Sequence, residues 1–282
     1  MCRKIYMIPF LLGLSLVAEA QTMAEFAALG DKAFADKKLE EAVGYYQKAI
    51  GLDEADNDYV TVFNLGQIYL QQNENQKAIE AFIRSALKGN TDSALLNQIK
   101  AAADAISCDS CQIKAYRRID AEAPQLKSAV NQKLFYLYKK NGRQDDALRC
   151  CRTVLAETPD NLPMIKGMGF IFNEQKKIDS TLFYLTRAAE LDPADANVNK
   201  LLGFIYYNRH QANVNAETKR YESSNKSRSS YSTMLYNRQE SARHNYALAV
   251  KYLKAANEKL HDPQLTKLID SMTQTLSVYN KK

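Results

Sequence analysis

The chain has 282 residues, of which 46% are hydrophobic and 25% charged, with ten glycines, six prolines and no tryptophan. That composition is ordinary for a folded soluble protein and can bury a substantial core, and few turn residues beside abundant Ala, Leu, Lys, Gln and Glu favour helices with short connections over a β-rich fold. The formal net charge of +6 is too small for a dedicated nucleic-acid binder, which gathers far more positive charge on one face, so nucleic acid is not an expected partner.

Residues 1–20 read MCRKIYMIPFLLGLSLVAEA. Arg3 and Lys4 precede an apolar run from Ile5 to Val17, and Ala18 and Ala20 place small side chains at the −3 and −1 positions of a cleavage site. These are the three regions of a secretory signal peptide, with cleavage expected after Ala20. A bilayer span takes about twenty apolar residues, so no transmembrane segment is expected after cleavage. Cys2 lies before the apolar run and cannot serve as a lipoprotein cysteine. Without Arg3, Lys4 and Glu19 the chain keeps 36 basic and 31 acidic side chains, a net +5. The expected location is therefore outside a bacterial cytoplasm, either periplasmic or secreted to the cell surface.

Beyond the leader the sequence repeats. From Leu29-Gly30 the chain runs to Ala42, Tyr46 and Ala49, and the same spacing returns at Leu65-Gly66, Ala78, Phe82 and Ser85. It returns again at Met168-Gly169, Thr181, Leu185 and Ala188, and at Leu134, Ala147, Cys151 and Val154, where Phe135 replaces the glycine. Ile99, Ala103, Gln112 and Tyr116 form a weaker copy, and Leu202-Gly203 opens a sixth. Repeats start near 23, 59, 93, 128, 162 and 196, a period close to 34. Gly and Ala let two antiparallel helices approach closely, Leu, Tyr and Phe at helical spacing fill the gaps between pairs, and a following proline stops the second helix. In the sixth repeat the second helix, expected near Asn215, is displaced by thirty-four residues to Ala249, Leu253 and Ala256. A polar, basic insertion thus occupies about 208–240. Its segment from Glu222 to Ser232 is too polar to drive its own burial and is expected to be mobile, whereas Met234 to Lys259 reads as helix. With Tyr221, Tyr231 and Tyr236 the insertion is either a basic arm for an acidic partner or a solvated loop between two lengthened helices. In 262–282, Leu265, Leu268, Ile269, Met272, Leu276 and Tyr279 make one apolar stripe, as expected of a capping helix.

The spacing of Leu-Gly, aromatic, Ala, aromatic and Pro in six copies resembles the tetratricopeptide-repeat (TPR) family, over about residues 21–261. The resemblance implies an all-α, right-handed α-solenoid of about six helix pairs, closed by the C-terminal capping helix. It further implies a non-catalytic adaptor or scaffold that holds a protein or peptide segment in a concave groove lined by the first helix of each pair. Carried onto this sequence, the groove positions of the first three repeats are mostly small, acidic or amide residues, such as Ala24, Asp31, Gln67 and Asn97. The last three offer Tyr136, Lys140, Lys166, Phe170, Asn173, Lys200, Phe204 and Tyr207, aromatic planes and ammonium groups suited to a partner. Phe170 and Phe204 could equally pack between neighbouring helices, because core and groove share one spacing. An alternative partner is a glycan or cell-wall polymer stacked on the same aromatics.

Four cysteines follow the leader. Cys108-Asp-Ser-Cys111 has the spacing of a redox pair, a local disulfide or half a zinc site, and thiol–disulfide chemistry is the remaining alternative function. A thioredoxin-type motif sits at a helix start in a βαβ setting, whereas Cys108 falls in the turn between two repeat helices. Zinc would need two further ligands, and the three histidines lie in the last third of the chain. Cys151 takes the large core position of its second helix, with Cys150 expected at the side or surface. No Gly-rich phosphate loop, paired-His motif or nucleophile elbow is present, so no enzyme, cofactor or metal is expected.

Overall fold

The computed structural model describes residues 22–52 and 58–280, so the expected signal peptide lies outside the described residues. The chain divides into two compact units between Ala115 and Tyr116. Among the described residues there is no β-strand, and helices pack as consecutive pairs, an all-α fold of the solenoid class.

The first unit holds α1 (Met23–Ala35), α2 (Leu39–Leu52), α3 (Tyr59–Gln71), α4 (Asn75–Leu87), α5 (Ser93–Asp104) and the start of α6 (Asp109–Glu122). Its first helices begin on side chains that satisfy the free N–H groups of a helix start. Thr22 and Glu25 form a reciprocal capping box on α1, Asp58 accepts from Val60 and Thr61 at the start of α3, and Asp92 accepts from Ala94 at the start of α5.

The second unit holds the end of α6, a 3₁₀ turn at Pro124–Leu126, then α7 (Lys127–Lys140), α8 (Gln144–Glu157), α9 (Leu162–Glu174), α10 (Ile178–Leu191), α11 (Ala196–Glu222), α12 (Arg228–Ser241), a π turn at Ala242–Tyr246, α13 (Ala247–Leu260) and α14 (Pro263–Asn280). The first helices of the pairs start at 23, 59, 93, 127, 162 and 196.

The turn inside four of the pairs is also repeated. Lys37, Asn73, Gly142 and Lys176 are left-handed, with φ of 61°, 59°, 70° and 58°. The next N–H in each case, from Lys38, Glu74, Arg143 and Lys177, donates back to Ala33, Tyr69, Tyr138 and Phe172 at 2.8–2.9 Å. This is the Schellman arrangement that stops a helix and turns the chain back on it.

Packing within the pairs explains the Leu-Gly signature. A methyl group on Gly30 would come within 2.5 Å of Tyr46, on Gly66 within 2.6 Å of Phe82, on Gly169 within 2.4 Å of Leu185, and on Gly203 within 2.5 Å of Leu253. The large residue follows the glycine by sixteen positions in the first three of these pairs and by fifty in the last, so the insertion leaves the contact itself intact. In the α7/α8 pair the sizes are exchanged. Phe135 fills the glycine position and is buried, Cys151 takes the large position, and the Phe135 ring end lies where a Cβ on Gly167 of α9 would be 2.4 Å away.

The insertion is an ordered helical hairpin. α11 has 27 residues against 13 in α9, and α12 prolongs the returning helix. At about 1.5 Å per residue the extension beyond Asn208 reaches about 20 Å. The segment expected to be mobile, 222–232, is helical except for the turn at 223–227, where the Ser227 hydroxyl caps α12 by accepting from the Ser230 N–H at 3.1 Å. Local capping and the pairing of two polar helices replace the apolar burial that the sequence lacks there. At the other end His261, at φ 49°, ends α13, and α14 lays Leu265, Ile269 and Met272 on Ala249 and Leu253.

Candidate functional site

In the second unit side chains link α7, α9 and α11. The Lys139 ammonium stands 5.9 Å from the Phe170 ring centroid, linking α7 to α9, and Lys166 Nζ donates to Asp195 Oδ2 at 2.7 Å, linking α9 to the start of α11. Asp195 also caps α11 by accepting from the N–H groups of Asn197 and Val198. Although burial works against ionising Asp195, the Lys166 hydrogen bond and charge with those two N–H groups prevail and hold its carboxyl below the usual carboxylate range.

The expected groove residues divide on this surface. Tyr136 is 54% exposed, with its ring edge-on to Phe135 at 5.0 Å. Lys140 is exposed, and Asn173 and Lys200 are half-buried. Lys166 is committed to Asp195 and acts as a joint between two pairs. Phe170 packs on the cluster of Ile165, Leu185 and Val198. Phe204 packs on the cluster of Ala249, Leu253 and Leu265, which Tyr207 joins while stacking on Tyr246 at 5.9 Å and an interplanar angle of 5°. These three rings thus give much of their area to the interior. In the first unit Asp31 accepts from the Tyr46 hydroxyl at 2.6 Å and from Asn64 at 3.2 Å, which turns a groove acid into a structural one. Burial and this bond raise the Tyr46 pKa.

Two features were not legible beforehand. A cleft of about 480 Å³ lies between α2, α3 and α4, walled by Ile50, Val62, Tyr69, Lys77 and Arg84, with Gly51 and Ala81 leaving the space. The inserted hairpin has a polar seam. Glu217, 4% exposed, accepts from Arg220 at 2.6 Å and from Asn237 at 3.0 Å. Arg238 bonds Thr218, and His210 Nδ1 meets Ser241 Oγ at 3.1 Å with its ring 4.2 Å from Tyr246. Burial and the Arg238 charge lower the His210 pKa.

The cysteines form two contrasting pairs of thiols. Cys150, expected at the side or surface, is buried like Cys151, and burial pushes each thiol up to about 12. Cys108 is partly exposed and immediately precedes α6, so the pair stands at a helix start, while among the described residues there is no strand to give it a βαβ setting. Its Sγ accepts from the Cys111 N–H at 3.3 Å and lies 3.1 Å from Ser110 Oγ. The Cys111 thiol, Ser110 and that N–H bring Cys108 down to about 7, while hydrogen bonding to Cys108 raises Cys111. Among the described residues no three His, Cys, Asp or Glu side chains gather as a metal site would require, and no helix is long and apolar enough to cross a membrane.

The tetratricopeptide-repeat profile matches residues 61–86, nearly the whole of the α3/α4 pair. No curated protein matches the chain. Among solved structures, one described as a candidate protein-binding protein of Bacteroides ovatus superimposes with a TM-score of 0.50 at 13% identity, covering 79% of this chain and 99% of that one. A TPR-repeats protein of Bacteroides fragilis (TM-score 0.40, 14% identity) covers 91% of this chain and 100% of its own. The MamA protein (TM-score 0.39, 20% identity) covers 62% of this chain and 94% of its own. With helix pairs recurring on one period, the Schellman turn and the close glycine contact each returning in four of them, and the profile match falling on one of those pairs, this chain has an all-α solenoid fold that carries a tetratricopeptide repeat at α3/α4.

Proposed function

We propose that this chain is a non-catalytic adaptor, working outside the cytoplasm, that holds a protein or peptide segment against the joined faces of α7, α9 and α11. The observation that carries the reading is the continuity of those faces through the Lys139–Phe170 and Lys166–Asp195 contacts, with the exposed Tyr136 ring and the Lys140 ammonium on them. An exposed aromatic beside positive charge offers contact area and attraction for carboxylates at once. The description of the Bacteroides ovatus protein as a candidate protein binder accords with this class of activity. Export rests on the composition of residues 1–20. A glycan partner would need open ring faces, and Phe170, Phe204 and Tyr207 turn theirs largely inward.

The test is crosslinking in an envelope extract with the unaltered chain and with a Tyr136→Ala, Lys140→Glu, Lys200→Glu variant. Lys166 is left in place because Glu there would face Asp195 and loosen α11. Loss of a central aromatic and reversal of two charges should weaken a groove-bound partner at least tenfold. A partner set identical for both chains refutes the assignment of this face.

A further inference from the structure

The Cys108–Cys111 pair is not absorbed by the binding surface, and its construction differs from that of an inert thiol pair. Gln112 fastens the turn ahead of α6 by donating from its side chain to the carbonyls of Asp104 at 3.2 Å and Ile106 at 2.7 Å, while its own N–H bonds the Cys108 carbonyl at 2.9 Å. Cys108 is thereby held with its sulfur over the free N–H groups that open α6, where negative charge is stabilised. The N–H of Cys111 and the hydroxyl of Ser110 both address that sulfur. Cys111 is exposed one turn along the same helix, followed by Lys114. A disulfide between them would close only a four-residue loop, which constrains an unfolded chain far less than a long loop does, so a purely structural role is a poor use of the pair. Buried thiols such as Cys150 and Cys151 are the inert arrangement, and this one is the opposite.

We propose that Cys108 and Cys111 are a redox-active dithiol at the start of α6 that exchanges with an exposed disulfide, Cys108 being the attacking sulfur and Cys111 the resolving one. The Cys108 thiolate, its proton given to solvent, attacks one sulfur of R–S–S–R′. The Cys108–S–S–R bond forms and R′–S⁻ leaves, taking a proton from solvent. Cys111 then loses its proton to solvent and attacks Cys108 Sγ; the Cys108–Cys111 bond forms, and R–S⁻ leaves and is protonated. Two electrons pass from the dithiol, oxidised to a disulfide, to the substrate, reduced to two thiols.

At pH 7 a thiol with a pKa of about 7 is about half ionised, against about 1% for one at 9.0, some fiftyfold more thiolate. Nucleophilicity falls with basicity by about eightfold over the same interval, leaving a net gain of about sixfold. The variant-free measurement is therefore iodoacetamide alkylation of the purified, reduced chain, followed residue by residue. Cys108 is expected to react about sixfold faster at pH 7 than in the unfolded chain, with a midpoint near pH 7, while Cys150 and Cys151 stay unreacted. In oxidised glutathione the unaltered chain should pass to the Cys108–Cys111 disulfide, and Cys111→Ser should stop at a glutathione adduct on Cys108. Insulin as a second substrate separates the classes: faster reaction there assigns a protein disulfide, faster reaction with glutathione a small one. A Cys108 midpoint near pH 9, or no reaction with either disulfide, overturns the proposal.

Discussion

The size rule between paired helices makes a quantitative prediction, because one substitution should have opposite signs at two glycines. Gly44 lies inside α2 with nothing within 4 Å of an added Cβ, so Gly44→Ala should show only the helix-propensity gain of about 1 kcal/mol. At Gly169 the same methyl would stand 2.4 Å from Leu185 Cδ2 and 2.7 Å from its Cγ, with the Leu185 backbone nitrogen at 3.4 Å behind them. Carbon atoms settle at about 3.5–4.0 Å, so α9 and α10 must part by about 1 Å or Leu185, fully buried, must leave its rotamer. Overpacking of this kind costs about 1–3 kcal/mol, and subtracting the propensity gain leaves a net loss of about 1 kcal/mol. The two variants should therefore differ by about 2 kcal/mol. Urea unfolding measures the total, and native-state hydrogen exchange in α9 and α10 measures it locally, which matters in an array whose pairs open separately. If Gly169→Ala proved as stabilising as Gly44→Ala, the contact would not set the distance between the helices, and the account of the Leu-Gly signature would fail.

The exchanged sizes in α7/α8 predict that Cys151→Leu, which restores the usual large residue, destabilises by about 1–3 kcal/mol because Phe135 already supplies the volume. Adding Phe135→Ala should then cost less than it does in the unaltered chain, and strict additivity in a double-mutant cycle would refute the exchange. For the hairpin, the lowered His210 pKa means that the unfolded state binds the proton more readily, so stability is fully present above the unfolded value of 6.5 and is lost as pH falls through the folded value. Protection factors across 209–246, taken relative to the intrinsic exchange rate at each pH, should fall between pH 7 and pH 5, more than in His210→Gln; an equal fall in both would assign the effect elsewhere.

The pair boundaries were legible because close helix approach demands a small residue opposite a large one, and that demand is written at fixed spacing from Gly30 to Leu185. The groove was legible only in part. Phe170, Phe204 and Tyr207 sit at the same helical spacing as residues that face outward, and only the position of the neighbouring helices decides which way a ring gives up its area. The role of Lys166 depends on Asp195, twenty-nine residues away in the next pair, a contact that no local pattern announces. The order of the insertion was hidden for another reason: its interior is built of Glu217, Asn237, Arg238, Thr218 and Ser241, residues that read as solvated unless their partners are known.

The place of the insertion explains why the solenoid tolerates it. Each pair contacts chiefly its neighbours, so added chain is least disruptive where it prolongs both helices of one pair away from those contacts. Here the base of the sixth pair keeps the Gly203–Leu253 approach and the Tyr206–Tyr252 stack at 5.9 Å, and α14 still covers α13. The π turn at Ala242–Tyr246 falls at the junction, below the polar seam and above the apolar base. The hairpin above it buries Met234 and little other apolar area, so it draws most of its hold on the native state from the base to which it is continuous. It is therefore the part of the second unit expected to open at least cost, and it can open without separating α11 from α13 at Leu253.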